Sequence, residues 1–214
     1  MKYIIMCGGT YKLWEKPRQL TEVCGEPIVA RTIRLLRENG VDDISISSNN
    51  PVFKQFGVPV LCHDNSMVVS ESFQVSGYWV DAFYLTDEPT CYILGDVVFS
   101  PEAIKTIVET ETSDIQFFAS APPFGKGYTK RWAEPFAFKV VDTDHLKHAI
   151  NLTKRYADQE LFHRHPIAWE LWQVIQASPL NYINYRNYVA INDYTCDIDV
   201  PADAQVIEKA INAN

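Results

Sequence analysis

Short, largely apolar segments of strand length recur along the chain. They predict strands at residues 2–6 (KYIIM), 44–48, 58–62, 90–94 (TCYIL), 115–121, 135–141 and 188–191. A strand that is covered on both faces is typically a short apolar run bounded by turn residues. The first run leads into Gly8-Gly9 and the fourth into Gly95-Asp96, so two predicted strands end in glycine-containing turns.

Between these runs lie segments with the 3.6-residue period of amphipathic helices. The clearest is residues 27–39 (PIVARTIRLLREN), because Pro27 suits a first helical turn and Gly40 suits the position after the last one. Further helices are predicted at residues 70–85, 101–111, 144–156, 167–177 and 201–213, although Gly77 weakens the first of these. The alternation predicts an α/β fold with a doubly wound, mostly parallel mixed sheet and a less regular second half.

Composition narrows the class of protein. A chain of 214 residues suits one sizeable core, so we expect a single domain. The net charge of −8 argues against a nucleic-acid partner, which usually requires a basic surface. No apolar run approaches the roughly 20 residues that span a bilayer. We therefore expect no membrane partner. The five cysteines are scattered and lack CxxC spacing, which argues against a zinc knuckle or a disulfide framework and favours reduced cysteines in a cytoplasmic protein.

The segment after the first strand, residues 7–18 (CGGTYKLWEKPR), is a candidate phosphate-binding loop. Glycine N–H groups can approach phosphates without obstruction by a side chain, and Lys12 and Arg18 add positive charge to the same loop. Ligands of open α/β sheets bind beyond the carboxyl ends of the strands, where this segment is expected. The segment is neither GxGxxG nor a P-loop, and a glycine pair is also common in ordinary tight turns.

Carboxylates follow two of the predicted strands. Asp96 comes directly after the buried run TCYIL, where a cation that bridges phosphates could be held by one or two carboxylates. In CDIDVPADA, Asp197 and Asp199 would share one face of a strand, and like charges on one face repel unless a cation lies between them. Asp199 is also a candidate cap for the helix that begins at Pro201, so two interpretations of this residue stay open.

The second half of the chain offers less specific candidates. His163 and Arg164 precede a predicted helix, and Lys126 lies in a loop rich in glycine and proline at residues 122–132. Each of these is as consistent with a solvated loop as with a contact to a substrate phosphate or carboxylate. Glu134 opens the predicted strand EPFAFKV and could reach a second substrate.

The opening of the chain resembles the sugar-phosphate nucleotidyltransferase superfamily, whose members usually begin GGxGTRLxPLTxxxPKxLxxVxGxPL. The residues that stand at that spacing are Pro17, Leu20, Val23, Gly25, Pro27, Ile28 and Arg31. The GxGTR segment is shortened here. Lys12 stands where the family has its phosphate-binding arginine, and Arg18 stands where the family has its signature lysine, which keeps the charge but changes the geometry.

The resemblance implies a Mg²⁺-dependent enzyme that joins a nucleoside monophosphate to a small phosphorylated metabolite, such as a sugar phosphate, and releases pyrophosphate. CTP is favoured as the nucleoside triphosphate, because the chain is short like those of the cytidylyltransferase branch. Residues 1–120 would form the nucleotide-binding half, and residues 121–214 the acceptor-binding half and a closing helix. The resemblance also suggests a role in the biosynthesis of a surface polysaccharide, and a homodimer is possible.

The resemblance also implies roles for individual residues. The nucleotide-binding residues would be Cys7, Gly8, Gly9 and Gly95. The catalytic residues would be Lys12, Arg18 and Asp96. The metal ligands would be Asp96 with Asp197 or Asp199. The residues that bind the phosphorylated substrate would be Glu134, His163, Arg164 and Lys126.

Two other classes of protein remain open from the sequence. A nucleotide-sugar-dependent glycosyltransferase shares the sheet and the use of Mg²⁺, but it usually carries D-x-D after the middle strand, where this chain has GDVV. A non-catalytic nucleotide-binding relative is suggested by the shortened glycine loop.

Overall fold

The computed structural model describes residues 1–120 and 133–213 and has the predicted α/β architecture. The strands are β1 (Lys2–Met6), β2 (Thr10–Tyr11), β3 (Glu22–Val23), β4 (Glu26–Pro27), β5 (Ile44–Ser47), β6 (Val60–Leu61), β7 (Val68–Val69), β8 (Val75–Ser76), β9 (Thr90–Leu94), β10 (Val97–Val98), β11 (Ile115–Ala119), β12 (Pro135–Val140), β13 (Val189–Ala190) and β14 (Cys196–Asp197). The helices are α1 (Ile28–Glu38), α2 (Pro101–Glu109), α3 (Thr143–Asp158), α4 (Ala168–Ile175) and α5 (Pro201–Asn212). Short 3-10 helices cover Arg18–Leu20, Pro51–Phe56 and Trp79–Ala82.

Within the described residues, the central sheet has seven strands in the order β13-β11-β12-β9-β1-β5-β6. The strands β6, β5, β1 and β9 are parallel to one another, and β12 runs antiparallel to both of its neighbours. The predicted mostly parallel mixed sheet is therefore confirmed. Because β12 runs in the opposite direction, it begins at the edge of the sheet where the parallel strands end.

Helices cover both faces of the sheet, as the doubly wound prediction requires. Ile5 belongs to a buried cluster that includes residues of α1 and α2. Its neighbour Ile4 belongs to a second buried cluster, with residues of α3 and α4. Since successive side chains of a strand point to opposite faces, one apolar run such as KYIIM supplies the core on both sides of the sheet.

The last helix packs beside the end of β9. β10 and β14 pair antiparallel, with Val97 opposite Asp197 and Val98 opposite Cys196. A third buried cluster joins this strand pair to α5 and to Ile28 at the start of α1. The pairing brings residues 196–199 next to residues 95–98, although the two segments are about a hundred positions apart in the sequence.

The helix predicted at residues 70–85 is wrong. The chain instead forms the β7–β8 hairpin, followed by the 3-10 helix Trp79–Ala82. This structure requires glycine at position 77, because its φ is +76° and a Cβ atom there would lie 2.2 Å from the carbonyl oxygen of Ser66. The valines of β7 and β8 are β-branched residues, which favour strands.

The other predicted strands and helices are present, with ends that differ by a few residues. The loop predicted at residues 122–132 lies outside the described residues. Within residues 1–120 and 133–213, no helix combines the length and the apolar character that crossing a bilayer requires.

Candidate active site

The candidate residues of the first half meet at the carboxyl edge of the sheet. β1 ends there and leads into Gly8-Gly9, and β9 ends beside it and leads into Gly95-Asp96. Glu134 reaches the same edge because it immediately precedes β12, which begins at this edge. The pairing of β10 with β14 adds Asp197 and Asp199. This is the edge at which open α/β sheets bind their ligands.

Arg18 is the centre of this site. Its side chain is only 7% exposed and forms ion pairs with Asp96 and with Asp199, where Nη1 lies 2.9 Å from Oδ1. Nη1 also donates a hydrogen bond to the carbonyl oxygen of Ile198 at 3.1 Å. The guanidinium carbon lies 3.8 Å from the centre of the Tyr11 ring, which is within the range of a cation–π contact.

The surrounding charges keep Arg18 positively charged. Burial alone would lower its pKa, but the attraction of Asp96, Tyr11 and Asp199 outweighs that effect and raises the pKa above its ordinary value. Burial raises the pKa of Tyr11 to about 12, against the opposing effect of Arg18. One further donor of Arg18, its Nε, is buried and has no hydrogen-bond partner within the described residues. Unpartnered buried donors are rare, so this N–H is a candidate ligand contact.

Two cavities flank the pair formed by Tyr11 and Arg18, and both residues line each of them. The larger cavity, of about 250 Å³, is also lined by Lys12, Asp96, Glu134, Asp197 and Asp199. The smaller cavity, of about 210 Å³, is also lined by Cys7, Gly9, Lys16, Ser48 and Asn50. The two cavities therefore share the positive charge of Arg18.

The glycine loop is held in place by β7, which immediately precedes the segment that was predicted to be a helix. β2 pairs in parallel with β7, and the amide of Lys12 donates to the carbonyl of Val69 at 2.9 Å. Gly9 has a φ of +88°, which glycine adopts without strain. Gly8 lies against Asn65, whose Nδ2 is buried and has no hydrogen-bond partner within the described residues. The loop therefore presents its backbone beside an amide that can still donate.

Cys7 and Gly95 are in close contact. A Cβ atom on Gly95 would lie 2.6 Å from the carbonyl oxygen of Met6 and 2.7 Å from Sγ of Cys7. Gly95 also donates its amide to Met6 at 3.1 Å. Burial raises the pKa of the Cys7 thiol well above its usual value, so this group is neutral. Glycine at position 95 is thus required where the ends of β1 and β9 approach each other.

Asp203, rather than Asp199, provides the cap of α5. Its side chain accepts the amides of Asp199 at 2.9 Å and of Val200 at 3.0 Å. The side chain of Asp199 instead pairs with Arg18. The interpretation of Asp199 as a helix cap is therefore wrong.

His163 and Arg164 are not among the described residues that line the two cavities. Nε of Arg164 lies 2.6 Å from Oε1 of Glu170, a residue with no exposed surface. Oε2 of Glu170 accepts the amide of Ile167 at 3.0 Å at the start of α4. The structure thus places Arg164 in an ion pair with Glu170, in the first turn of α4. Lys126 lies outside the described residues.

The predicted metal ligands fit Mg²⁺ by chemistry but are not preassembled. Asp96, Asp197 and Asp199 line one cavity, and carboxylate oxygens are the protein ligands that Mg²⁺ prefers. Within the described residues, however, no three acidic, histidine or cysteine side chains converge closely enough to hold a metal ion. Arg18 pairs with two of the carboxylates. Arg18 therefore competes with a cation for these two carboxylates.

Sequence reasoning missed several residues of this site. Tyr11 stacks on Arg18, and the indole N–H of Trp14 donates to the carbonyl of Asp199 at 3.1 Å. Asn65 and Trp79 line a small pocket with Gly8 and Asp96. Asn65 comes from the loop before β7, and Trp79 comes from the segment whose fold was predicted wrongly. The signal for Tyr11 and Trp14 was present in the sequence, because both lie in the candidate phosphate-binding loop between Gly9 and Arg18.

Two solved structures share this fold. The structure resembles the inositol-1-phosphate CTP transferase from T. maritima with a TM-score of 0.54 and 14% sequence identity, over 98% of this chain and 96% of that one. It also resembles a putative glucose-1-phosphate thymidylyltransferase from Bacillus anthracis with a TM-score of 0.53 and 16% identity, over 97% of this chain and 94% of that one.

These two likenesses extend over nearly the whole chain, and at these identities they establish the fold. The fold implied by the opening motif is therefore confirmed. No protein-family model matches the sequence. No curated protein matches it either.

Proposed function

We propose that this protein is a nucleotidyltransferase that joins a nucleoside monophosphate to a small phosphorylated metabolite and releases pyrophosphate. The observation that carries the proposal is the position of Arg18, a buried cation at the carboxyl edge of the sheet, between two cavities and beside Asp96. The two structural neighbours, whose printed names describe transferases of this kind, support it.

The two cavities suggest how the substrates are divided. The smaller one is lined by the glycine loop, whose backbone N–H groups can receive a nucleotide. The larger one contains Lys12 and Glu134 and would hold the phosphorylated acceptor. Arg18 lines both cavities and would contact the phosphates of each substrate. Residues 1–120 would thus form most of the nucleotide site, within a single domain that spans residues 1–214.

The reaction needs positioning and neutralisation of charge rather than a protein nucleophile. An oxygen of the acceptor phosphate forms a bond to the α-phosphorus, the bond from that phosphorus to the bridging oxygen breaks, and pyrophosphate leaves with the electron pair. Both substrates are anions, so cations must offset their repulsion. Arg18 and Lys12 would stabilise the charge on the α-phosphoryl group and on the leaving pyrophosphate.

Mg²⁺ dependence is part of the proposal. Asp96 with either Asp197 or Asp199 would hold the cation, which supplies positive charge next to the triphosphate. When an anionic triphosphate arrives, it competes with the carboxylates for Arg18. The movement of Arg18 towards the phosphates would release Asp96 and Asp199. Substrate binding and the assembly of the metal site would therefore be coupled.

CTP is the proposed nucleotide. The likeness to a protein whose printed name is inositol-1-phosphate CTP transferase supports this choice. We further propose that the enzyme works in the cytoplasm and supplies the synthesis of a surface polysaccharide.

The direct test is pyrophosphate release from each of the four common nucleoside triphosphates, with a panel of phosphorylated acceptors and with Mg²⁺ present or chelated. The expected result is release that requires both an acceptor and Mg²⁺ and that is fastest with CTP. Asp96→Asn serves as the inactive variant. Release at the same rate without any acceptor would indicate hydrolysis and contradict the proposal.

A non-catalytic nucleotide-binding relative is the second candidate. The observation that favours it is the contact of Arg18 with two of the three carboxylates that would have to hold the metal. Calorimetry separates the two candidates. Tight nucleotide binding whose affinity is the same with and without Mg²⁺, together with no pyrophosphate release, would support the non-catalytic candidate.

A further inference from the structure

Away from Arg18, the wall of the larger cavity is mainly apolar. Its apolar residues come from several separate parts of the chain, among them the loop after β2, the β7–β8 hairpin with the 3-10 helix that follows, and the start of α4. The six that matter most here are Leu13, Trp14, Phe73, Val75, Trp79 and Ile167. Because they converge from distant segments, the apolar wall is a property of the folded site rather than of one sequence run.

Two large apolar side chains of this wall are exposed. Phe73 is 57% exposed and Leu13 is 41% exposed. Leaving such groups in water forgoes the stabilisation that burial would give, and a ligand that covers them recovers it. They stand on separate loops and line the same cavity, so one ligand can cover both.

The backbone of Phe73 is strained. Its φ is +60°, a conformation that is rare for residues with bulky side chains. A glycine or asparagine would adopt this φ at lower cost. A strained, exposed phenylalanine that lines a ligand cavity is typical of a residue kept for contact with a ligand rather than for stability.

The charged residues that line the cavity come from the segments at the carboxyl edge of the sheet, namely Lys12, Arg18, Asp96, Glu134, Asp197 and Asp199. Arg18 pairs with both Asp96 and Asp199. The Oγ of Ser70 is engaged within its own hairpin, where it accepts the amide of Gln74 at 3.0 Å. A sugar ring placed against Leu13, Phe73 and Trp79 would bury several hydroxyl groups against carbon. Each buried hydroxyl without a partner costs free energy, whereas a hydrocarbon body has no such cost.

We infer that the acceptor is an organic phosphate monoester with an apolar alkyl or aryl body, rather than a polyhydroxyl sugar phosphate. This inference rests on the proposed function, which assigns the larger cavity to the acceptor. The phosphate is placed at Arg18 and Lys12, and the apolar body lies against Trp79 and Phe73. The exposed rim formed by Leu13 and Phe73 is then covered by the bound acceptor.

The test is a binding measurement, which does not depend on turnover. Calorimetry on the full chain compares n-hexyl phosphate and phenyl phosphate with glucose 1-phosphate and inorganic phosphate, with and without CTP. The apolar phosphates are expected to bind at least about tenfold more tightly than inorganic phosphate, because they cover apolar surface. Glucose 1-phosphate is expected to bind no more tightly than inorganic phosphate. An affinity for glucose 1-phosphate equal to that for hexyl phosphate would overturn the inference.

A matched pair of variants locates the contact. Phe73→Gly and Glu160→Gly each replace a residue at positive φ, and Glu160 lies at the end of α3, outside the lining of the cavity. Phe73→Gly should keep the melting temperature of the parent or raise it. It should also weaken hexyl phosphate binding at least about fivefold, with the affinity for inorganic phosphate unchanged. Glu160→Gly should change neither affinity.

Two outcomes contradict the inference about the acceptor. One is unchanged binding of hexyl phosphate by Phe73→Gly. The other is a dimer of the parent that dissociates in Phe73→Gly, because Phe73 would then be a contact between two copies of the chain. Failure of the proposed function is a different result, namely binding of apolar phosphates as expected with no pyrophosphate released from any nucleotide.

Discussion

The guanidinium of Arg18 forms an ion pair with the carboxylate of Asp96 across the carboxyl edge of the sheet. Arg18 follows the glycine loop and Asp96 follows β9, so the pair joins the two segments that the sequence marked as sites of chemistry. Both side chains are largely buried, with 7% and 13% of their surface exposed. A buried ion pair contributes less to stability than its strength suggests, but loss of one partner leaves a charge without compensation.

Asp96→Asn should therefore lower both activity and stability. Turnover should be abolished, because Asp96 is a proposed metal ligand. The free energy of unfolding should fall by about 1–3 kcal/mol, since Arg18 keeps Asp199 as a partner but loses the charge of Asp96. Urea denaturation and pyrophosphate release measure the two effects.

The matched control for this variant is Asp87→Asn, at an exposed ion pair with Lys147. Solvent screens a surface pair of this kind, so stability and turnover should both stay near the parent values. Full activity in Asp96→Asn would remove Asp96 from the site.

Asp199 and Asp203 should separate a functional from a structural carboxylate. Asp203→Ala removes the cap of α5 and should cost about 1 kcal/mol of stability without changing the Mg²⁺ requirement. Asp199→Ala should raise the Mg²⁺ concentration that half-maximal activity requires, because it removes a carboxylate from the cavity. The same titration on Asp197→Ala decides which of the two is the second metal ligand. If neither Asp197→Ala nor Asp199→Ala changes the Mg²⁺ requirement, the proposed metal site is wrong.

Substitution of Gly95 should mainly reduce stability, whereas substitution of Gly8 should mainly reduce nucleotide affinity. Gly95→Ala forces a Cβ atom into the backbone of Met6, so the ends of two central strands must separate. We expect a loss of about 1–3 kcal/mol in the free energy of unfolding. Gly8→Ala meets only the side chain of Asn65, at 3.1 Å, and should unfold close to the parent. Its nucleotide affinity, measured by calorimetry, should fall, and unchanged affinity would contradict a role of Gly8 in nucleotide binding.

Tyr11 should make the protein less stable in alkali. Its pKa is raised from 10 to about 12, chiefly by burial, so the unfolded chain loses the phenolic proton at a lower pH than the folded one. The contribution of Tyr11 to stability is thus complete below about pH 10 and is lost as the pH rises through about 12. Tyr11→Phe removes this group, so its urea midpoint should fall less between pH 8 and pH 11 than that of the parent. Equal losses would show that Tyr11 is not buried as described.

The sequence predicted the parts of the fold that depend on local pattern. KYIIM and TCYIL form adjacent central strands. Their continuous apolar runs predict this position, because helices cover both faces of a central strand. The helix that follows Pro27 was predictable from its period and its flanking residues. The position of Asp96 at the edge of the sheet followed from its place after a buried strand.

The parts that depend on long-range contacts were not predictable in this way. Residues 70–85 have enough apolar residues for a helix, yet they continue the β7–β8 hairpin, in which β7 pairs with β2 and Gly77 lies close to Ser66. The contact of Arg18 with both Asp96 and Asp199 likewise requires the antiparallel pairing of β10 with β14. No local spacing in the sequence indicates that pairing.

The central claim is that the α-phosphoryl group is transferred with its nucleoside to a phosphorylated acceptor. The most direct measurement uses CTP labelled at the α- or the γ-phosphorus, incubated with the protein, Mg²⁺ and either n-hexyl phosphate or a sugar phosphate. We predict that the α label appears in a product that contains the acceptor and that the γ label appears in an equal amount of pyrophosphate. Transfer of the γ label to the acceptor, or an α label found only in free CMP, would contradict the account.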